Sequence, residues 1–288
     1  MNAHFQAHIA QAQTVSAPDG YALQVNRFSP QQPAKATVVI SAAMGAPQSF
    51  YHPFASWLSR QGFEVYCFDY RGMEKGTNNV KTVDTDITTW MLQDANSVLK
   101  HAKAQAAGRL IWLGHSLGCQ IVGTMPDRHL IDQMAGIATG TGYWLHADWA
   151  LKSKAWLLWL VMVPTLTPLF GYFPGNTVNM VADLPARVAY QWRRWCLNRY
   201  YLAGVEGEAI RAQYQAMRLP FKVLSFTDDE LMSARNTEDI FEMYPQNRIE
   251  HRRLDPAELK LKRIGHFGFF RKSMEQAVWP LALSLLEE

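Results

Sequence analysis

The pentapeptide Gly114-His115-Ser116-Leu117-Gly118 carries the clearest chemistry in this chain. It follows a short apolar run, Arg109–Leu113, and precedes an apolar helical stretch through Ile121 and Val122. That context turns a bare Gly-x-Ser-x-Gly into evidence for a nucleophile, because the chemistry needs a strand, a sharp turn and a helix in that order. The turn holds Ser116 in a strained conformation and projects its hydroxyl above the sheet, while glycines on either side let neighbouring backbones approach. The helix start then offers the Leu117 N–H to a developing oxyanion. The competing reading is a chance pattern in an ordinary turn, and the flanking strand and helix argue against it.

A serine hydroxyl needs a base. Of nine histidines, His266 is best placed, in Gly265-His266-Phe267-Gly268 after the last strand. His115 occupies the variable position of the turn and is expected to pack locally, and His251 lies in an Arg-rich strand. His4 and His8 have i,i+4 spacing, which is a weak metal signal near a chain end. The base in turn needs a carboxylate to fix its tautomer. The strand Phe221–Phe226 runs into Thr227-Asp228-Asp229-Glu230, so Asp228 or Asp229 is the candidate, and the other is expected to be a solvated turn or helix cap.

The elements that must position these groups alternate. Strands are expected at Thr14–Ala17, Tyr21–Phe28, Thr37–Ser41, Phe63–Asp69, Arg109–Leu113, Met134–Thr139, Phe221–Phe226 and Ile249–Leu254. Helical spacing falls between them, from Phe50 to Leu58, across Thr89–Ala107 and Asn236–Tyr244, and from Ser273 to about Leu286. Such alternation predicts an α/β fold with a mostly parallel sheet. The rhythm breaks between Gly142 and about Arg218, where six of the ten tryptophans lie. This stretch is read as an inserted helical cap (142–218), dividing one sheet domain into 1–141 and 219–288.

In these motifs the chain resembles the α/β-hydrolases, specifically the capped branch of lipases, esterases and serine aminopeptidases. Ser116, the aspartate and His266 stand in that family's chain order. Phe68-Asp69-Tyr70-Arg71-Gly72 is similar to its Asp-x-Arg-Gly loop, and Asp229-Glu230-Leu231-Met232-Ser233 to its acid loop, a register that implies Asp229 as the acid. Where the family has His-Gly-x-Gly, this chain has Ala42-Ala43-Met44-Gly45. The resemblance implies the Met44 N–H as second oxyanion donor, since a backbone donor tolerates changed side chains. The family's Gly-Gly after the serine loop is Gly118-Cys119 here, with Cys119 expected to pack rather than react.

Composition bounds the rest. The chain has 288 residues, 48% of them hydrophobic, and a formal charge of only +3, with its basic residues scattered, so no nucleic-acid partner is expected. Three cysteines without a Cys-x-x-Cys pair suit a reducing, cytoplasmic location. No signal segment is recognised, His-Glu-x-x-His is absent, and Gly140-Thr141-Gly142 lacks a third glycine for a dinucleotide loop. Epoxide and haloalkane hydrolases of similar fold use an aspartate where Ser116 stands. Ala155–Ala182 carries no charge, but Pro164, Pro168, Gly171 and Pro174 are expected to break it below the length of a membrane span. Trp144, Trp156 and Trp159 are candidates for roofing an apolar acyl pocket, and the cap is a candidate for transient membrane-surface contact. The expected activity is hydrolysis of carboxylic esters or lactones with an apolar acyl chain, without metal or cofactor. An amidase or aminopeptidase, or a ligand-binding protein of this fold, is the alternative.

Overall fold

A computed structural model describes residues 10–74, 79–106, 108–179 and 181–287. Ten strands are described: β1 Gln11–Ser16, β2 Ala22–Phe28, β3 Thr37–Ser41, β4 Glu64–Phe68, β5 Leu110–His115, β6 Gln133–Ile137, β7 Tyr172–Phe173, β8 Leu184–Pro185, β9 Pro220–Phe226 and β10 Arg248–Leu254. Eight form one sheet in the order β1-β2-β4-β3-β5-β6-β9-β10, and the short β7 and β8 pair separately. β1 and β2 are antiparallel to their neighbours, and every pairing from β4 to β10 is parallel. β3, β4, β5 and β6 are buried along their whole length, as expected for strands covered by helices on both faces. Among the described residues, the stretch 142–218 adds no strand to this sheet.

Three helices depart from the sequence expectation. The helix after Ser116 covers only Leu117–Gln120, followed by a 3-10 turn at Val122–Thr124. Two tyrosine hydroxyls explain the stop. Tyr214 donates to Gln120 O at 2.6 Å, and Tyr244 donates to Cys119 O at 2.8 Å while accepting the Gly123 N–H at 3.3 Å. These carbonyls would otherwise serve the next helical turn. The stretch expected to be helical over Thr89–Ala107 starts at Ile87 and passes through a π turn, Trp90–Ala95, before Asn96–Gln105; Ala107 lies outside the described residues, as do His4 and His8. The C-terminal helix is Pro280–Leu286, not one from Ser273, because Pro280 suits a first helical position and has no N–H to continue an earlier helix.

Pro164 and Pro168, expected to break the apolar stretch, instead lie inside one helix, Trp149–Phe170, which ends at Gly171 as expected. It comprises Trp149–Leu157, a π turn at Leu158–Met162, and Val163–Phe170. Pro164 is the second residue after the π turn, where the regular hydrogen-bond register is already interrupted, so its missing N–H costs the helix little. By length and composition this helix could cross a membrane. However, Ala155, Leu158, Trp159, Val163 and Thr167 are buried on one face, which packs against the rest of the fold. The three cysteines are free and buried.

The helix after Ser116 comes so close to β3 that a Cβ on Gly118 would stand 2.2 Å from Ser41 O. Gly118→Ala is therefore expected to cost about 2–4 kcal/mol, since the obstacle is backbone. Gly108→Ala meets nothing within 4 Å and should be nearly neutral. Denaturant unfolding of the two variants checks this, and equal midpoints would contradict it.

Candidate active site

Ser116 sits between β5 and the helix Leu117–Gln120 with φ 52° and ψ −110°, a conformation rare outside glycine. Its backbone is fastened on both sides. The Ser116 N–H donates to Ile137 O at 3.2 Å, and Ser116 O accepts from the Cys119 N–H at 3.2 Å and Thr139 Oγ1 at 3.0 Å. A Cβ on Gly114 would lie 2.4 Å from Cys119 N, so the turn can be this tight only with glycine there.

Asp228, Asp229 and Glu230 all reach the segment that carries His266, each differently. His266 Nδ1 lies 3.0 and 2.9 Å from the two Asp229 carboxylate oxygens. Asp229 Oδ1 also accepts the Leu231 and Met232 N–H groups, each at 2.9 Å. Asp228 does not touch the imidazole; its Oδ2 accepts the Ile264 and Gly265 N–H groups at 2.8 and 3.0 Å. Glu230 accepts the His266 N–H at 3.1 Å. A carboxylate on Nδ1 selects the tautomer whose Nε2 lone pair is free to take a proton. Among the described residues no hydrogen bond joins His266 to Ser116 Oγ, but both line one cavity; such contacts are often long without substrate.

A second chain of hydrogen bonds, absent from the sequence expectation, ties three loops together. The Ala43 N–H donates to Tyr51 Oη at 2.9 Å, Tyr51 Oη is 2.8 Å from His115 Nδ1, and His115 Nε2 is 3.0 Å from His266 O. A carbonyl only accepts, so His115 Nε2 carries the hydrogen and Tyr51 donates to Nδ1. Burial, and then the nearby His266, hold the His115 pKa well below its ordinary 6.5, so the ring is neutral. On either side of the Ala42–Gly45 loop, Asp69 accepts the Gln48 N–H at 2.7 Å and Nε2 at 2.8 Å, and the Ser41 and Tyr70 hydroxyls are 2.7 Å apart. Arg71 beside them donates its N–H and Nε to Asp94 at 2.9 and 2.7 Å. The Met44 and Leu117 N–H groups, in contrast, meet no protein acceptor among the described residues.

The cavity over Ser116 measures about 320 Å³. Its walls include Met44, Trp144, Leu158, Trp159, Trp192 and Phe267, and among the described residues no lysine, arginine, aspartate or glutamate lines it. Of the three tryptophans singled out from the sequence, Trp144 and Trp159 line it, while Trp156 does not. Trp156 is 48% exposed on the outer side of its helix, because the inward face runs through Leu151, Ala155 and Leu158–Trp159. Ala155, small among large neighbours, is the sequence signal that this face meets other chain closely. Trp192, not singled out as a lining residue, meets Trp159 edge-to-face with ring centres 4.9 Å apart. A second cavity of about 150 Å³, lined by Arg199, Arg211, Asp239 and Glu242 among others, contains neither Ser116 nor His266. Among the described residues no cluster of three His, Cys, Asp or Glu could hold a metal.

An eight-stranded, mostly parallel sheet with a strained serine at the end of β5 defines an α/β-hydrolase. The chain belongs to the serine aminopeptidase S33 family, whose pattern it matches over residues 32–256, ending short of His266. An uncharacterized protein of Escherichia coli K12, YfhR, is 30% identical over 115 residues, which is 38% of this chain and 39% of that protein. Among solved structures, an esterase of Pyrococcus furiosus superposes with a TM-score of 0.62 at 12% identity, covering 98% of this chain and 91% of its own. An esterase of Exiguobacterium antarcticum also reaches 0.62, at 16% identity, covering 96% of this chain and 100% of its own. At these identities the likeness is one of fold.

Tyr51→Phe would leave the Ala43 N–H and His115 Nδ1 buried without partners, and is expected to lower stability by about 2–3 kcal/mol in denaturant unfolding. His115 also predicts a pH dependence. The unfolded chain protonates this ring near 6.5 and the folded chain resists, so its contribution to stability is present above about 6.5 and lost as pH falls below it. In His115→Asn the decline between about pH 6.5 and 5 should be shallower than in wild type, by up to about 1.4 kcal/mol per pH unit. Parallel pH profiles for the two proteins would contradict this.

Proposed function

We propose that this hydrolase cleaves carboxylic esters or lactones whose acyl group is apolar, using Ser116, His266 and Asp229. Ser116 Oγ attacks the carbonyl carbon as His266 Nε2 takes its proton, and the Leu117 and Met44 N–H groups receive the oxyanion. His266 then protonates the leaving alcohol oxygen, or the ring oxygen of a lactone, leaving an acyl-Ser116. Water, deprotonated by His266, releases the acid and restores the serine. No step calls for a metal or organic cofactor.

The observation that carries this reading is the cavity wall. An aminopeptidase must hold the α-ammonium of its substrate, and burying that cation without a carboxylate partner is costly. The lining residues supply none. An apolar acyl chain, in contrast, gains from each group buried against Trp144, Leu158, Trp159 and Trp192.

A fluorophosphonate probe should label Ser116, and Ser116→Ala should abolish both labelling and turnover. Labelling elsewhere with activity intact in that variant would overturn the mechanism. Asp229→Asn should lower kcat by about 10³–10⁴, whereas Asp228→Asn, which keeps an oxygen to accept backbone N–H groups, should stay within about tenfold.

Chain length tests the substrate class. Each buried methylene contributes up to about 0.8 kcal/mol, so two methylenes realised in the transition state raise kcat/KM about tenfold. The expected series climbs beyond acetyl and levels off once the cavity is filled, and Trp144→Ala should flatten the climb while sparing the acetyl ester. A flat series from acetyl to octanoyl, with faster turnover of aminoacyl anilides, would favour the peptidase reading instead.

A further inference from the structure

The helix Trp149–Phe170 has two apolar faces, and only one is covered. Just 28% of its most apolar 18-residue stretch is buried. The inner face supplies Leu151, Ala155, Leu158 and Trp159 to the cavity over Ser116. The outer face carries Trp149, 81% exposed, and Leu169, 74% exposed, with Trp156, Leu157, Leu160, Val161 and Phe170 also exposed. Large apolar side chains scattered singly are ordinary on a protein surface, but seven exposed along one 22-residue helix are more than that and point to an interaction site.

Charge identifies what covers it. From Trp149 to Ala182 the only ionised side chains are Lys152 and Lys154, and the nearest acids in the chain are Asp148 and Asp183. Beyond the far end of the helix, Lys81 Nζ lies 4.8 Å from the Tyr172 ring centre. Cations thus stand near both ends of an apolar ridge that also presents tryptophan and phenylalanine at its two termini. This is the composition of a helix lying in the headgroup layer of an anionic bilayer, with aromatic side chains at the interface and lysines toward lipid phosphates. The same face of a second copy would set lysines against lysines, without an acid in the stretch to pair them. Insertion across the bilayer would strip Leu158, Trp159 and Val163 from the buried face, so the helix must lie on the surface rather than span it.

We infer that the exposed face of the helix Trp149–Phe170 docks this protein onto anionic phospholipid membranes, placing the helix that walls the cavity at the lipid surface. The inference stands independently of which ester is cleaved, since docking needs no turnover. Its test is sedimentation of the full chain with vesicles of phosphatidylcholine and phosphatidylglycerol in equal parts. Wild type and Ser116→Ala should bind alike. The double variant Trp149→Ser, Leu169→Ser should partition at least about tenfold more weakly, while its turnover of a short soluble ester is unchanged. Lys154→Glu should weaken binding to these vesicles severalfold and leave weak binding to pure phosphatidylcholine unaffected. Wild type remaining in the supernatant, or a double variant that binds as wild type does, would overturn the inference. So would a concentration-dependent dimer that the double variant abolishes while wild type shows no vesicle binding.

Discussion

The backbone at Ser116 is held in a left-handed conformation by contacts on three sides, and most of the site is built outward from that constraint. β5 delivers the residue between β3 and β6, and the helix that follows rises so close to β3 that only a hydrogen fits at Gly118. Thr139 Oγ1 and the Cys119 N–H both hold Ser116 O. A residue at φ 52° costs a kcal/mol or so, on the order of the usual strain in such regions. It persists because relaxing it would break those contacts and separate the helix from the sheet.

The same logic explains why the neighbouring loops are joined through side chains rather than through the sheet. The loop after β3, the end of β5 and the short helix bearing His266 are therefore linked through the side chains of Tyr51 and His115. The linkage is buried, so each member must be satisfied or its desolvation goes uncompensated. It uses the Ala43 N–H, and the next residue, Met44, lines the cavity. The acidic run after β9 divides similarly: Asp228 and Glu230 hold backbone, and Asp229 holds the imidazole. Three adjacent carboxylates can do this because successive residues in a tight loop point in different directions.

Two π turns serve as adjustments of register. In the first, Trp90–Ala95, the Trp90 ring stacks on Tyr70 at 4.8 Å while Asp94 meets Arg71, so a single widened turn serves two partners. In the second, Leu158–Met162, consecutive residues Leu158 and Trp159 are both buried, which lets one helix wall the cavity and still carry a separate outer face.

Residue type and spacing alone determined the sheet strands, the serine loop, the place of His266 and the two candidate acids. Each of these is a local property: β-branched runs, Gly-x-Ser-x-Gly between a strand and a helix, and a histidine in a glycine-bounded loop. Tertiary structure decided what depends on groups distant in the chain. The helix after Ser116 stops at Gln120 because Tyr214 and Tyr244 take its carbonyls, and neither tyrosine is near it in sequence. Asp229 rather than Asp228 meets the imidazole, because Asp228 takes the Ile264 and Gly265 N–H groups at the start of the short helix Gly265–Gly268 that carries His266. Trp156 faces outward because Leu151, Ala155, Leu158 and Trp159 form the face of its helix that meets the cavity, and Trp192 faces inward against Trp159. On a helix apolar all round, the sequence does not say which face is covered. Local pattern specifies which elements form, whereas the direction each side chain finally takes is settled by the surface packed against it.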